Sequence, residues 1–249
     1  MPGKQPQNDE QQRSTSTTNR RRVLSALGAV SASAIAGCSS ESEASQTTPA
    51  ATPTGSGESI DPRFGYIDTG DGDPPVEADH TVELIIEPRE GAEIPQFYFE
   101  PTGLAIEPGD TVRFQLGSPH HNVNAYHPAF GYTQRVPEDA PPYSSPILSV
   151  GESWLYTFET EGVHNIMCAP HEIFGMVGAI VVGSASGPGA NPVGEAPAPS
   201  EESRSPPFTA ATVLSDPAMD PENIAEAGSV SWDDIADENK RLLLAPVEE

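Results

Sequence analysis

One short stretch constrains this chain more than any other. Cys168-Ala169-Pro170-His171-Glu172-Ile173-Phe174-Gly175-Met176 runs straight into the apolar Val177-Gly178-Ala179-Ile180-Val181-Val182. Cysteine, histidine and methionine stand there as C-x2-H-x4-M, with His121-Asn122-Val123 upstream. The apolar run reads as a buried strand. A thiolate, two imidazoles and a thioether together form the donor set of a mononuclear electron-transfer copper site. The bland reading of Cys168 alone is a buried, inert thiol, the commonest fate of a lone cysteine. The upstream histidine is ambiguous, because His120 and His121 are adjacent.

From Val76 to Gly183 the pattern is strand-like throughout. Thr81-Val82-Glu83-Leu84-Ile85-Ile86, Phe97-Tyr98-Phe99 and Leu104-Ala105-Ile106 precede the turn Pro108-Gly109-Asp110. In the following Thr111-Val112-Arg113-Phe114-Gln115-Leu116, apolar and polar residues alternate, the period of a half-buried strand. Trp154, Tyr156 and Phe158 repeat the alternation, and Thr160-Glu161-Gly162 turns the chain into Val163 to Cys168. Short strands between Pro/Gly turns, with no helical period, predict an all-β Greek-key sandwich or barrel.

Pro108-Gly109-Asp110-Thr111-Val112-Arg113-Phe114, His121-Asn122-Val123 and Cys-Ala-Pro-His-x4-Met together resemble the cupredoxin family, nearest its plastocyanin, pseudoazurin and halocyanin branch. The resemblance covers roughly Val76 to Gly183. It implies a cupredoxin-like fold and one type 1 (blue) copper ion, held by His121, Cys168, His171 and Met176. It selects His121 over His120 and makes Asn122 a tie between the two ligand loops. It also puts His171 at the surface, its ring edge the electron exit, with redox partners docking there. Met176 would be the weak axial donor that helps set the potential. Both imidazoles must be neutral to bind copper, so low pH is expected to weaken a solvent-facing ligand such as His171 first.

Before the cysteine the family favours aromatics, whereas here stand His164, Ile166 and Met167. Period-two geometry puts His164 on the face of Ile166 and Cys168, where a satisfied core histidine is the expectation and a second metal ligand the rival. Met167, where plant plastocyanins carry a surface tyrosine, puts a remote electron route on that side in doubt. Between His127 and Pro146 runs a long loop, expected either to fold over the metal end or to decorate the surface. His127 is not expected to be a ligand, and His80 is expected to be exposed.

Charge narrows the partners. Twelve basic residues against 37 acidic ones give −25, which argues against nucleic acid and anionic membrane as partners. The segment Asp61 to Gly183 holds 19 acidic and 4 basic residues, so the excess lies in the folded part as well. Such self-repulsion needs screening, and the Debye length falls to about 3 Å at 1 M salt. A high-salt organism, a haloarchaeon, is the expectation; the alternative is an acidic docking face for a basic partner. A monomer is expected, since the acidic shell opposes self-association at low salt, an argument that fades at high salt.

The first 37 residues read as an export signal. Arg20-Arg21 resembles a twin-arginine signal, and Val23 to Ala36 is an apolar run of about 14 residues, short of the roughly 20 needed to cross a bilayer. Ile35-Ala36-Gly37-Cys38 resembles a lipobox, so Cys38 is expected to be lipidated. A Ser/Thr/Glu/Gly/Pro-rich spacer follows over residues 38–75. The location expected is therefore the outer face of the cell membrane. After the copper domain (76–183), residues 184–207 read as a linker and 208–249 as an acidic extension with two short helices. One is capped by Asp220 and closed by Gly228, the other capped by Ser231, with Trp232, Ile235, Leu242 and Leu243 apolar. The helices would pack on the barrel or bind a partner.

The function expected is a one-electron shuttle between respiratory complexes. A multicopper enzyme needs further histidines, commonly as His-x-His pairs, and the chain has six histidines and no such pair. A copper-delivery lipoprotein would use the same ligands and stays the alternative.

Overall fold

A computed structural model describes residues 59–194, 203–240 and 242. The export signal, Cys38, the spacer up to residue 58, residues 195–202 of the linker and Leu243 lie outside the described residues.

Ten strands form two five-stranded sheets. They are β1 (Tyr66–Asp68), β2 (His80–Glu87), β3 (Gln96–Glu100), β4 (Gly103–Ile106), β5 (Thr111–Leu116), β6 (Asn124–Ala125), β7 (Ser153–Thr157), β8 (Gly162–Met167), β9 (Val177–Val182) and β10 (Ser229–Val230). One sheet runs β1-β7-β5-β2-β3 and the other β10-β4-β9-β8-β6. The pairs β2–β5 and β4–β9 are parallel and the remaining pairs antiparallel. This is a β-sandwich carrying a short helical extension.

Side chains of both sheets meet in one core. Val82 and Leu84 from β2, Val112 and Phe114 from β5, and Ile166, Ile180 and Val182 from β8 and β9 share it with Cys168 and Met176. Each fully buried aliphatic or aromatic side chain there contributes about 1.5–3 kcal/mol. The apolar alternation of β5 is the sequence trace of this one-sided burial.

β9 is apolar throughout for a different reason. Ile180 and Val182 face the inner core, whereas Val177, Ala179 and Val181 face a second cluster. That cluster is completed by Ala210 and Val213 of α1 (Phe208–Leu214), Ile224 of α2 (Pro221–Ala227), Val230, Trp232 and Ile235. The C-terminal extension therefore roofs the outer face of the second sheet, and a strand buried on both faces has no polar side to alternate. Trp232 stacks on Tyr98 at 5.1 Å and donates Nε1–H to Gln96 Oε1 at 2.9 Å. Sandwich and extension belong to one compact unit.

Three expectations are corrected. Order begins before Val76: β1 pairs with β7, and Trp154 and Tyr156 donate to the carbonyls of Phe64 and Pro62 at 2.7 and 2.9 Å. Aromatic polar tips capture a segment that has no apolar period of its own. In the stretch read as a linker, Gly189 is buried against β8. In the extension, α2 follows its Asp220 cap as expected, but the stretch after Ser231 forms 3-10 turns at Trp232–Asp234 and Asp237–Lys240, not a helix. Asp216 Oδ2 draws that chain aside by accepting from Ala236 N–H at 2.9 Å and Asn239 Nδ2 at 2.8 Å. Of the two readings of the 127–146 loop, surface decoration is the one set aside, because Val136 and Tyr143 are fully buried in the core.

Candidate metal centre

Two loops at one end of the sandwich bring the donors together. The first leaves β5 through Ser118-Pro119-His120. His120 is exposed and has a left-handed φ of 68°, uncommon for a residue with a β carbon, while the next residue, His121, is fully buried. The second loop joins β8 to β9. Its backbone closes on itself: Cys168 N–H donates to Met176 C=O at 3.1 Å, and Met176 N–H to His171 C=O at 3.2 Å. Between them Glu172–Phe174 makes one 3-10 turn that ends at Gly175 with φ 90°, the left-handed conformation glycine adopts without penalty.

The result is a triangle of donors. His121 Nδ1 stands 3.1 Å from His171 Nδ1 and 3.6 Å from Cys168 Sγ, and Cys168 Sγ stands 3.4 Å from His171 Nδ1. The centre of such a triangle lies about 2 Å from each corner, the length at which imidazole nitrogen binds a first-row metal ion. Met176 is buried in the same core as Cys168. Neither His120 nor His127 belongs to this cluster: His127 Nδ1 accepts from Ala129 N–H at 3.0 Å and caps a turn.

Surrounding groups hold the donors in place. Asn122 Oδ1 accepts from Ala169 N–H at 2.9 Å, and Asn122 N–H points to Cys168 Sγ at 3.5 Å, linking the two loops. The His171 ring stacks on Phe97 at 4.3 Å. Burial, and then the neighbouring His171, holds His121 down at about 4, and burial also lowers His171. Both imidazoles are therefore neutral at pH 7, the form that binds metal. Burial pushes the Cys168 thiol up to about 11, against the lowering effect of the Asn122 and His171 amides. A buried thiol flanked by neutral imidazole nitrogens is a soft, cation-seeking site.

A profile of copper binding proteins of the plastocyanin/azurin family matches residues 87–183. Pseudoazurin of Paracoccus pantotrophus is 32% identical over 108 residues, 43% of this chain and 66% of that protein. Plastocyanin of Scenedesmus fuscus is 31% identical over 98 residues, 37% of this chain and 93% of that protein. The chain belongs to the plastocyanin/azurin family. Its cofactor is a single type 1 copper ion, and the thiolate-plus-imidazole donor set fits that ion. The crystal structure of pseudoazurin from Methylobacterium extorquens AM1 aligns with 60% of this chain and 96% of its own, at 22% identity and a TM-score of 0.35. The chain spans between 51% and 66% of the length of the pseudoazurins it matches.

Of the residues outside the donor cluster, His164 and Met167 follow the sequence reading and His80 departs from it. His80 is half-buried rather than exposed, with Nε2 3.0 Å from Asp110 Oδ2. His164 is a core residue: Nε2 lies 2.8 Å from Thr160 C=O and Nδ1 3.4 Å from Tyr143 Oη. Met167 is buried beneath the extension, so its side chain does not reach solvent. The residue missed altogether is Glu172, 1% exposed beside His171, whose carboxylate is paired with Arg204. A signal existed: Arg204 is the only cation between Gly183 and Lys240 of a strongly acidic chain.

Proposed function

We propose that this cupredoxin is a one-electron carrier, not an enzyme, its copper held by His121, Cys168, His171 and Met176. The observation that carries the reading is the donor triangle, with sides of 3.1, 3.4 and 3.6 Å, built from two loops about fifty positions apart. Copper supplies the change between cupric and cuprous states. The chain's own residues hold the donors still: Asn122 ties the loops, Phe97 backs His171, and the loop backbone closes on Met176. Donors that do not move between states keep reorganisation small, which a carrier requires. A copper-delivery protein has the opposite need, to release its ion, and a loop tied at so many points favours retention.

Docking at His171 by redox proteins of a respiratory chain, a lipid tether on Cys38, the outer face of the cell membrane and a monomeric state complete the proposal. The export-type N-terminus supports the location, and the net charge of −25 supports a high-salt habitat. Cupric ion added to the purified metal-free chain tests the site. An intense copper–thiolate charge-transfer band at one equivalent, absent from Cys168→Ser and kept with a shifted potential in Met176→Leu, is the expected result. A colourless complex would sink it.

A further inference from the structure

We propose that the segment following the copper domain is part of the metal centre: Arg204, in the stretch between that domain and the C-terminal extension, acts through Glu172 as a positioning residue that locks the donor-bearing loop before any ion arrives. The proposal builds on the reading of Cys168, His171 and Met176 as donors.

Glu172 follows His171 directly, yet it is only 1% exposed. Glutamates are almost never that buried unless paired. Its Oε1 accepts from Tyr126 O–H at 2.8 Å and from Arg204 Nη1 at 3.2 Å, while Oε2 accepts from Arg204 Nη2. A guanidinium fork gripping both oxygens fixes direction as well as distance, which a point charge does not. Burial, with Glu172 beside it, holds Tyr126 well above the usual phenol range, so its hydroxyl stays a donor.

Arg204 is anchored in turn. Its N–H donates to Gly131 C=O and its C=O accepts from Thr133 N–H, both at 2.9 Å. Its guanidinium lies 4.5 Å over the Tyr132 ring. Tyr126, six residues before Tyr132, is bound to β8 through its N–H and Asn165 C=O at 3.2 Å. The grip on Glu172 is therefore referred to the sandwich itself.

A second hold lies three residues on. A β carbon at Gly175 would sit 3.2 Å from Thr209 Cγ2 and 3.5 Å from Val213 Cγ2, so α1 rests directly on the loop backbone. The two holds bracket the 3-10 turn that sets His171 relative to Met176. Such a turn has poor hydrogen-bond geometry and little stability of its own. Arg204 itself touches no donor side chain, so its effect must pass through Glu172 and the turn.

Hydrogen exchange on the metal-free full chain separates this role from general stabilisation. The amides of Phe174, Gly175 and Met176 donate within the loop, to His171, Glu172 and His171 C=O respectively. Arg204→Ala is expected to speed their exchange at least about tenfold relative to β8 and β9, because a loop opens locally when its holds are removed. Ile224→Ala, which loosens the extension where it packs on Gly103, is the control and is expected to leave that ratio unchanged. With copper bound, loss of the ion is expected to quicken about ten- to a hundredfold in Arg204→Ala, the usual effect of removing an outer support. Should Arg204→Ala fail to fold, Glu172→Gln keeps the side-chain shape and an acceptor for Tyr126 and gives the same comparison. Unchanged loop exchange, or equal acceleration in Ile224→Ala, overturns the proposal. The exchange arm needs no ion, so a chain that bound no copper would defeat the copper reading and leave this comparison decisive.

Discussion

Ser118 Oγ lies 3.0 Å from His121 Nε2, and this contact decides which imidazole nitrogen faces Cys168. The Ser118 hydroxyl donates its proton to Leu84 C=O at 3.2 Å, so its oxygen is left to accept from Nε2–H. Nδ1 then carries the free lone pair, on the side where Cys168 Sγ and His171 Nδ1 stand. Fixing the tautomer through the far nitrogen is how proteins orient metal-binding imidazoles. Ser118→Ala is expected to weaken copper binding about tenfold or more while leaving the unfolding midpoint of the metal-free chain within a few degrees. Competition titration against a chelator measures the first and calorimetry the second.

Metal uptake is expected to release about one proton near pH 7. Burial raises the Cys168 thiol to about 11, so it is protonated in the metal-free chain, whereas His121, at about 4, has no proton to give up. Binding enthalpies in two buffers of different ionisation heat give the number directly. Release of two or more protons would show that an imidazole was charged beforehand.

His164 makes the fold acid-sensitive. Burial holds it at about 4 against an ordinary 6.5, so between these values the unfolded chain takes up a proton that the folded chain refuses. The stability is complete above pH 6.5 and falls as pH drops toward 4, by up to about 3 kcal/mol. In His164→Gln, which retains a donor for Thr160 C=O, the metal-free chain is expected to lose this part of the slope. Denaturant midpoints at pH 7 and pH 4.5 measure it; an identical slope in wild type and variant would contradict the assignment.

Gly189 marks a backbone crossing. A β carbon there would lie 2.2 Å from Val163 O and 2.7 Å from Arg135 O, both main-chain atoms that cannot step aside. Arg135 Nη2 also donates to Gly189 C=O at 3.2 Å and to Asn191 C=O at 2.9 Å. Gly189→Ala is expected to destabilise by about 3 kcal/mol, the upper end for overpacking, in denaturant unfolding.

The sandwich and its donor loop were legible because their physics is local and periodic. β2 and β5 show their burial as alternation, and the C-x2-H-x4-M spacing is itself the chemistry. α1 was illegible, since Phe208-Thr209-Ala210-Ala211-Thr212-Val213-Leu214 has β-branched residues, little helical propensity and no side-chain cap; packing of Ala210 and Val213 on β9 stabilises it. The burial of Glu172 was illegible because nothing local shows a guanidinium arriving from 32 positions away. The same holds for the other cations. Arg113 is spent on Asp68 and Arg135 on Asn165 and two carbonyls, so these two cations, like Arg204, serve as internal staples.

Electron self-exchange tests the carrier reading most directly. Mixing the oxidised and reduced forms of the full copper-loaded chain and following the proton line widths of residues near the site gives the rate. Donors already in place in the metal-free chain predict rapid, reversible exchange with no loss of copper over repeated cycles. Slow exchange, or release of cuprous ion on reduction, would contradict the account and leave a copper-delivery protein in its place.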